Sequence, residues 1–469
     1  MDGERPHYNL TLAILVLAGA AFSLQQTMVF PSLAAFQREF GTTTAWATWV
    51  LTAFLVSGAV MTPILGRLGD QYGKARMLQV SLALFVLGCL GASTAWSIWA
   101  LIGFRAVAGA GAALFPLSFA IIRDEFPPDR VKVGIGLMSA VFGVGGGLGI
   151  VLSGIVVDDL GWRYLFLFGF VPVTVAIVLI RRHVPESPVR SRAPLDIPGA
   201  ALLSSALVTL LLGLTEGESW GWTSGRLVGA LALAAVLFAC WAVVERRSRA
   251  PMVDLEMLSQ RTVLLTNITT LIAGFALFGC FVLVPRFVET WASEGYGFGA
   301  SATLGGLYLL PSSLALLFAG PVAGLAGRRW GSKVPLAAGM LLISVSATLL
   351  GFAHDRPWHI VAATLALGAG VGAALASAAA LVTENVRATE TGVATGINTV
   401  VRMVGAVIGG QIAAALLTAE TIGDSTVPAE HAYTTAFALS AAAALVAFFV
   451  ALSIERRPQA ALAPARVLD

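Results

Sequence analysis

The stretch GRLGDQYGKAR, residues 66–76, lies between two long apolar runs and contains three glycines, one aspartate and three basic residues. The chain of 469 residues is 57% hydrophobic and 12% charged, with a mean hydropathy of +0.84. Soluble domains carry about 25% charged residues, so this composition excludes a water-soluble globule. We therefore expect the stretch to be a charged loop that connects two membrane-spanning segments.

Apolar runs of about 20 residues, enough to cross a bilayer as a helix, recur along the whole chain. Their length favours helices over the short alternating strands of a barrel. We interpret the first run as a helix and not as a cleaved signal sequence, because further spans follow it. The predicted spans cover approximately 10–32, 45–66, 77–97, 99–122, 133–157, 163–181, 197–215, 226–244, 262–284, 302–326, 334–353, 358–382, 393–418 and 433–454.

Fourteen spans place both termini on one side of the membrane. Of the 29 Lys and Arg residues, 22 fall on that side, five fall on the other, and Arg105 and Arg402 lie within helices. This excess predicts cytoplasmic termini and a multi-pass protein of the cell (inner or plasma) membrane. The basic residues form no patch, so the net charge of +3 is attributed to topology and not to nucleic-acid binding.

The 66–76 stretch has a second copy in the chain. PILGRLGDQYGK from Pro63 and PVAGLAGRRWGS from Pro321 share the pattern P-x-x-G-x-x-G-x-x-x-G, and Gly134 and Gly392 repeat at the same spacing. Parallel repeats around a central pathway are a transporter architecture. The predicted domains are a six-helix bundle over 1–190, a two-helix insertion over 191–257, a second six-helix bundle over 258–455 and a cytoplasmic tail over 456–469.

Four motifs resemble those of a known family. They are GRLGDQYGKAR, RAVAGAGAAL from Arg105, GVGGGLGIVLSG (143–154) leading to WRYLFLFGFVP (162–172), and INTVVRMVGAVIGG (397–410). Over essentially its full length the chain resembles the fourteen-helix drug:proton antiporters of the major facilitator superfamily, the EmrB/QacA-like multidrug exporters. The resemblance implies export of amphipathic small molecules from the cytoplasm by alternating access, driven by proton antiport.

Three positions depart from the family pattern. Gln25 and Gln26 stand where the first helix usually carries an aspartate, Ala108 replaces a glutamine of the fourth helix, and Ile150 replaces a proline of the fifth. The missing carboxylate puts proton coupling and the recognition of cations in doubt.

For the first motif, the resemblance implies that Asp70 contacts a helix N-terminus and nearby arginines and closes a cytoplasmic gate. A carboxylate at a helix N-terminus gains about 0.3–1 kcal/mol, and glycine permits a tight turn or a close backbone approach. Positive-inside topology alone explains Lys74 and Arg76, but not Asp70. The predicted gating motif is Gly66, Arg67, Gly69, Asp70, Gly73, Lys74 and Arg76.

On the predicted fifth helix, small residues at a spacing of four form one stripe, which permits close helix packing. The stripe either packs two helices together or forms an interface on which the two halves rock. Its members are Gly145, Gly149 and Ser153, with Gly154 beside them.

Arg105 and Arg402 are candidates for intramembrane charge or coupling, since a central arginine costs about 2.5–3.5 kcal/mol or more. Each is expected to face the bundle interior, unless it extends to the interface. No Asp or Glu lies at the middle of a predicted span, and the histidines and three single cysteines form no ligand cluster, so no metal, cofactor or enzymatic activity is expected. The candidates for the substrate cavity are Gln25, Gln26, Asn267, Asn398 and Gln411.

This interior favours neutral or anionic amphiphiles over permanent cations. Two alternatives stay open: a flippase or exporter of lipids or lipid-linked molecules, and a non-transporting membrane receptor of the same fold.

Overall fold

The computed structural model describes residues 8–29, 32–190, 196–248, 250–422 and 427–455, and these residues are mostly helical. The first half contains α1 (Tyr8–Met28), α2 (Leu33–Phe40), α3 (Thr44–Tyr72), α4 (Lys74–Ser93), α5 (Ile98–Gly109), α6 (Leu114–Glu125), α7 (Pro128–Asp159) and α8 (Arg163–His183). The predicted insertion contains α9 (Ile197–Thr215), α10 (Gly217–Trp220) and α11 (Gly225–Arg247). The second half contains α12 (Leu255–Ser259), α13 (Arg261–Glu289), α14 (Ala302–Leu307), α15 (Leu310–Trp330), α16 (Lys333–Phe352), α17 (Pro357–Asn385), α18 (Thr391–Ala419) and α19 (Glu430–Leu452).

Thirteen helical segments of the described chain are long and apolar enough to cross a membrane. They make this a multi-pass membrane protein. The predicted fifth span is not among the thirteen, although α7 runs unbroken for 32 residues at its position. The predicted count of fourteen is therefore not confirmed by this criterion. The N-terminal segment 1–7 and the predicted tail 456–469 lie outside the described residues.

The charged stretch 66–76 is helical almost throughout, which corrects the expected loop. α3 continues to Tyr72, α4 begins at Lys74, and Gly73 alone separates them with a φ of +118°. The Gly73 N–H still bonds the Gly69 carbonyl at 3.0 Å. A single left-handed residue therefore reverses the chain direction, and the charged side chains project from helix ends.

Buried apolar residues form two clusters. One extends from Ile14 to Val263 and includes part of the region from Ala379 to Met403, and the other extends from Ala273 to Ile454. The two halves meet where α3 packs against α18 and where α7 packs against α15. These four helices carry most of the interface between the halves, and α6 and α17 add to it through their contacts with α18 and α7.

The insertion lies beside one of these interfaces. α9 packs against α11 and also contacts both α3 and α18. At its end, Glu216 accepts a hydrogen bond from the Trp49 indole of α3 at 2.9 Å. α11 leaves large apolar side chains exposed, among them Val228, Leu233 and Val236. The second inserted helix is thus peripheral, and the first covers the α3–α18 contact.

Candidate functional site

Asp70 lies at the end of α3 and is fully buried against the start of α18. Its Oδ1 accepts the Gly392 N–H at 3.1 Å, and its Oδ2 accepts the Val393 N–H at 3.0 Å. The first N–H groups of a helix have no partner within the helix and carry a partial positive charge. The carboxylate of one half therefore caps a helix of the other.

Two buried cations balance this carboxylate. Lys74 Nζ lies 3.8 Å from Asp70 Oδ1, forms a short ion pair with Asp124 at the end of α6, and donates to the Ala388 carbonyl at 3.3 Å. Arg67, which is 5% exposed, also acts on Asp70. Buried charges are costly unless they are paired and hydrogen-bonded, and this network pairs them across the contact between the halves.

Gly66 and Gly392 bring the backbones of α3 and α18 into contact. A Cβ built at Gly66 would lie 2.6 Å from the Gly392 carbonyl oxygen, and one at Gly392 would lie 2.7 Å from the Gly66 oxygen. Either side chain would force the helices apart. The two glycines therefore permit the approach that places Asp70 on the helix N-terminus.

Arg123 is a member of this contact that the sequence analysis missed. From the end of α6 it donates to the Val386 and Arg387 carbonyls at 2.7 and 3.2 Å and to Thr391 Oγ1 at 2.5 Å. The guanidinium thus binds the segment that leads into α18. The sequence feature that could have identified Arg123 is its position beside Asp124 at the end of a predicted span. A basic residue at such a position is also explained by membrane topology.

The second copy of the motif forms the reciprocal contact between α15 and α7. A Cβ at Gly324, the counterpart of Gly66, would lie 2.6 Å from the Lys132 carbonyl. Lys132 Nζ lies 3.1 Å from both the Gly327 carbonyl and Glu384. Arg328 takes the place of Asp70 in this copy and pairs with Asp129 of α7 at 3.7 Å. The charged residue of the motif therefore has the opposite sign in the second copy, while the close contact between two helices is repeated.

The remaining motif residues support the turn between α3 and α4. Glu186 accepts the backbone N–H groups of Ala75 and Arg76 at 3.0 Å each, so it caps α4, and a Cβ at Gly73 would overlap it. The Arg76 side chain is exposed. Gly69 is helical and lies against Leu117. Glu186, between the predicted sixth and seventh spans, was not anticipated from the sequence.

The helix-five stripe packs against α1 in the same half and not between the halves. Thr27 Oγ1 donates to the Gly145 carbonyl at 2.5 Å, Ser153 Oγ donates to the Met28 carbonyl at 2.6 Å, and a Cβ at Gly149 would overlap Thr27. The glycines of α7 that face the other half are Gly136 and Gly143, which contact α15. For Gly154, only its helical position is described.

The two intramembrane arginines have different environments. Arg105 is 1% exposed and lies in the first half, where its Nε donates to the Val50 carbonyl at 3.2 Å and its guanidinium carbon lies 4.2 Å from the Phe54 ring centre. Arg402 is half-buried on α18 and interacts with other groups of the described chain. Arg105 thus faces the bundle interior, as expected.

The five amide candidates lie on three helices, α1, α13 and α18. Asn398 on α18 donates to Asn267 Oδ1 and Thr270 Oγ1 of α13, at 2.8 and 3.0 Å. Gln411 is half-buried further along α18. Gln25 is buried on α1 and Gln26 is half-buried beside it. The predicted set is therefore divided between a pair of asparagines in the second half and a glutamine region in the first.

Residues 15–410 match the sequence profile of the Major Facilitator Superfamily, and a second match covers 296–467. The chain belongs to the Major Facilitator Superfamily. This family consists of membrane transporters, in agreement with the spans of the described chain.

Several relatives in the superfamily are named for drug resistance or export. The chain is 28% identical over 339 residues to the tetracenomycin C resistance and export protein of Streptomyces glaucescens, covering 72% of this chain and 62% of that protein. It is 30% identical over 365 residues to the multidrug resistance protein Stp of Mycobacterium tuberculosis, covering 77% and 67%. It is 28% identical over 345 residues to multidrug resistance protein 3 of Bacillus subtilis, covering 73% and 64%. The matched region spans only about two thirds of these relatives.

A solved superfamily structure shares the fold. The crystal structure of the human organic anion transporter MFSD10 (TETRAN) superposes with a TM-score of 0.66, at 17% identity, over 95% of this chain and 100% of that one. The likeness shows that the two chains share the overall fold.

Proposed function

We propose that this protein is a secondary active transporter of the fourteen-helix drug exporter type, which exports amphipathic small molecules from the cytoplasm by alternating access. The observation that carries the proposal is the Asp70 contact, defined as Asp70 with the N–H groups of Gly392 and Val393. It joins the two halves at one end of the bundle. The names of the related proteins, which refer to resistance and export, support the direction and the class of substrate.

The proposed topology has fourteen spans, with α7 as the fifth, and cytoplasmic termini. The bias of basic residues supports it, because 22 of 29 fall on the terminal side under this count. The Asp70 contact then lies at the cytoplasmic face, and the structure is a state whose inner gate is closed.

Cysteine labelling from the two sides of the membrane tests this topology. Tyr72 is 51% exposed near the Asp70 contact, and Trp96 is 77% exposed at the far end of α4. In a background without native cysteines, Tyr72→Cys should react only from the cytoplasmic side and Trp96→Cys only from outside. The reverse pattern would refute the topology and the assignment of the gate.

The pairing of contacts between the halves supports alternating access. The α3–α18 and α7–α15 interfaces use equivalent glycines of the two motif copies, Gly66 and Gly324, and both are stabilised by polar groups at the same helix ends. Separation of both interfaces would open a path between the halves from this side. Parallel repeats that move against each other as bodies are the general mechanism of such transporters.

The proposed substrates are neutral or anionic amphiphiles. The half-buried polar groups of the described spans away from the gate include Arg402, Gln26 and Gln411, which supply a cation and amides. A cationic substrate would find no carboxylate on α1, where Gln25 and Gln26 stand. We propose proton antiport as the driving force, in a form that does not use a carboxylate at these two positions.

Counterflow in proteoliposomes tests function, charge preference and coupling together. Paired anionic and cationic compounds of matched hydrophobicity are compared, with and without an imposed pH gradient. We expect faster counterflow of the anionic member and acceleration by the gradient, whereas a consistent preference for cations would refute the proposed specificity. Gln26→Asp, at the half-buried position, should shift the preference toward cations, with Gln25→Asp at the enclosed neighbouring position as its matched control. Absence of flux for every compound would favour the receptor alternative.

A further inference from the structure

Among the described residues, Arg105 and Gln25 of the first half each leave two buried polar side-chain atoms without a hydrogen-bond partner, more than any other buried side chain. Arg105 and Gln25 are each 1% exposed. Within the described part of the chain, Nη1 and Nη2 of Arg105 have no partner, and neither do Oε1 and Nε2 of Gln25. Most buried polar atoms in proteins are hydrogen-bonded, so two such groups in one bundle call for an explanation.

Arg105 lies among aromatic rings. Its guanidinium carbon is 4.2 Å from the centre of the Phe54 ring and 5.9 Å from that of Phe166. Aromatic faces attract a cation through the ring quadrupole, but they carry no net negative charge. The Val50 carbonyl accepts from Nε at 3.2 Å, which leaves the outer two nitrogens of the guanidinium unused.

Gln25 reaches the same aromatic cluster from another helix. A Cβ built at Gly169 would lie 2.7 Å from Gln25 Cγ, so the glutamine packs on the face of α8 that carries Phe166 one turn earlier. One turn back on α1, the ring of Phe22 lies 5.9 Å from that of Phe54. The guanidinium thus contacts rings on α3 and α8, and the amide lies one turn from Phe22 and packs on α8, so both side chains border the same group of rings.

No acidic side chain of the described residues forms an ion pair with Arg105, and the ionisable group that acts on it is the buried thiol of Cys89. Gln25, as a neutral amide, adds donors but no charge. A water molecule could satisfy hydrogen bonds here, but it would not balance a buried cation, and unbalanced buried charge is strongly unfavourable. The cluster therefore has donors in excess and lacks one negative charge.

We propose that Arg105 and Gln25 form a binding site for a monovalent inorganic anion of halide size. The outer guanidinium nitrogens of Arg105 would donate to the ion, and the amide nitrogen of Gln25 would add a further donor. Such an ion would balance the buried charge within the first half. Because both side chains are enclosed, the proposed ligand is a small ion such as chloride or bromide and not the bulky charged group of an amphiphile.

Thermal unfolding of the purified full chain in detergent tests this site. Sodium chloride or bromide is titrated against sodium gluconate at constant ionic strength, so that general screening stays the same. A ligand that binds only the folded state raises the midpoint with its concentration, here by an expected shift on the order of a few degrees. Arg105→Met should abolish this rise.

Gln25→Asp provides the decisive variant if Arg105→Met does not fold. A carboxylate near the guanidinium would supply the missing charge covalently, so the halide-dependent rise should disappear while a cooperative transition remains. Gln26→Asp, at the half-buried neighbouring position, and Arg163→Gln, at an exposed arginine, are the controls and should keep the rise.

Equal midpoints in chloride and gluconate for the unsubstituted chain would overturn the proposal, as would a full halide response in Gln25→Asp. The measurement involves no transport. Its outcome is therefore independent of the counterflow experiments that test the proposed function.

Discussion

Asp70 and Gly392 are 322 residues apart in the chain, and the Asp70 carboxylate accepts the Gly392 N–H at 3.1 Å. With the Val393 N–H at 3.0 Å, both carboxylate oxygens bind the start of α18. These bonds cross between the halves, so they form only while α3 and α18 are in contact. The stability of that closed contact therefore depends on one charge and on the orientation of one helix.

Asp70→Asn should weaken the closed contact. The asparagine keeps the size of the side chain but loses the charge and one acceptor, at a cost of about 1–2 kcal/mol for a buried group at a helix N-terminus. Spin labels at the exposed positions Tyr72 and Arg387 should then report a larger fraction of separated helix ends. Glu455→Gln, at a carboxylate that is 70% exposed and lies away from the contacts between the halves, is the control. An unchanged distance distribution in Asp70→Asn would contradict the proposed gate.

Gly66→Ala should separate the same helices by steric overlap. The added methyl would lie 2.6 Å from the Gly392 carbonyl oxygen, which is backbone and cannot rotate away. Overpacking of this kind costs about 1–3 kcal/mol. The same label pair should show separation, with slower or uncoupled transport. Gly103→Ala, where no atom lies within 4 Å, should behave as the unsubstituted chain, and a similar effect of both variants would argue against a specific contact.

Lys132→Met should weaken the reciprocal contact between α7 and α15. It removes the interactions of Lys132 with the Gly327 carbonyl and with Glu384, both at 3.1 Å. We expect the closed α7–α15 contact to lose about 0.5–1.5 kcal/mol of stability. Labels on the ends of these two helices should measure this as a larger fraction of separated ends. Arg130→Met removes a side chain that is 53% exposed and serves as the matched control.

Combining Lys132→Met with Asp70→Asn tests whether the two interfaces act as one gate. The effects of substitutions at distant sites with no shared partners are usually additive. The losses of closed-state stability caused by the two substitutions should therefore add, and both label pairs should report opening together. Opening of α7–α15 alone, with α3–α18 unchanged, would contradict movement of the halves as two bodies.

Gly145→Ala should lower the unfolding temperature without opening the gate. A Cβ there would overlap Ser23 of α1, within one half. The free energy of unfolding should fall by about 1–3 kcal/mol, which lowers the unfolding midpoint by a few degrees. The distance between labels at Tyr72 and Arg387 should stay unchanged. Gly229→Ala on the peripheral α11, where nothing lies within 4 Å, is the control. A shift of the label distance in Gly145→Ala would restore the alternative that this stripe forms the interface between the halves.

Much of the molecule was predictable because it depends on local or periodic properties of the chain. Apolar runs of sufficient length gave most of the spans, and repeated glycine spacing gave the equivalence of Gly66 and Gly324. The single-residue turn at Gly73 was not predicted, because the charged side chains of the stretch resembled a loop. These charges are tolerated on helices because Asp124 pairs with Lys74 and the N-terminus of α18 binds Asp70.

The partners of the candidate residues could not be read from the sequence. The spacing of Gly145, Gly149 and Ser153 indicates that some helix packs closely there, and it is equally compatible with α1 and with the other half. Arg123 and Glu186 are ordinary charged residues near span ends until the fold brings the α18 segment and the α4 N-terminus to them.

The sequence alone determined that the chain is a helical membrane protein, and its repeated motif predicts two related halves, since hydropathy and spacing act along the chain. Only the tertiary structure decided that Asp70 caps α18, that the helix-five stripe packs on α1 and that Arg105 is buried without a carboxylate partner among the described residues. The physical reason is that a helix sequence specifies which face is apolar or small, whereas the group that meets this face depends on how all the helices pack together.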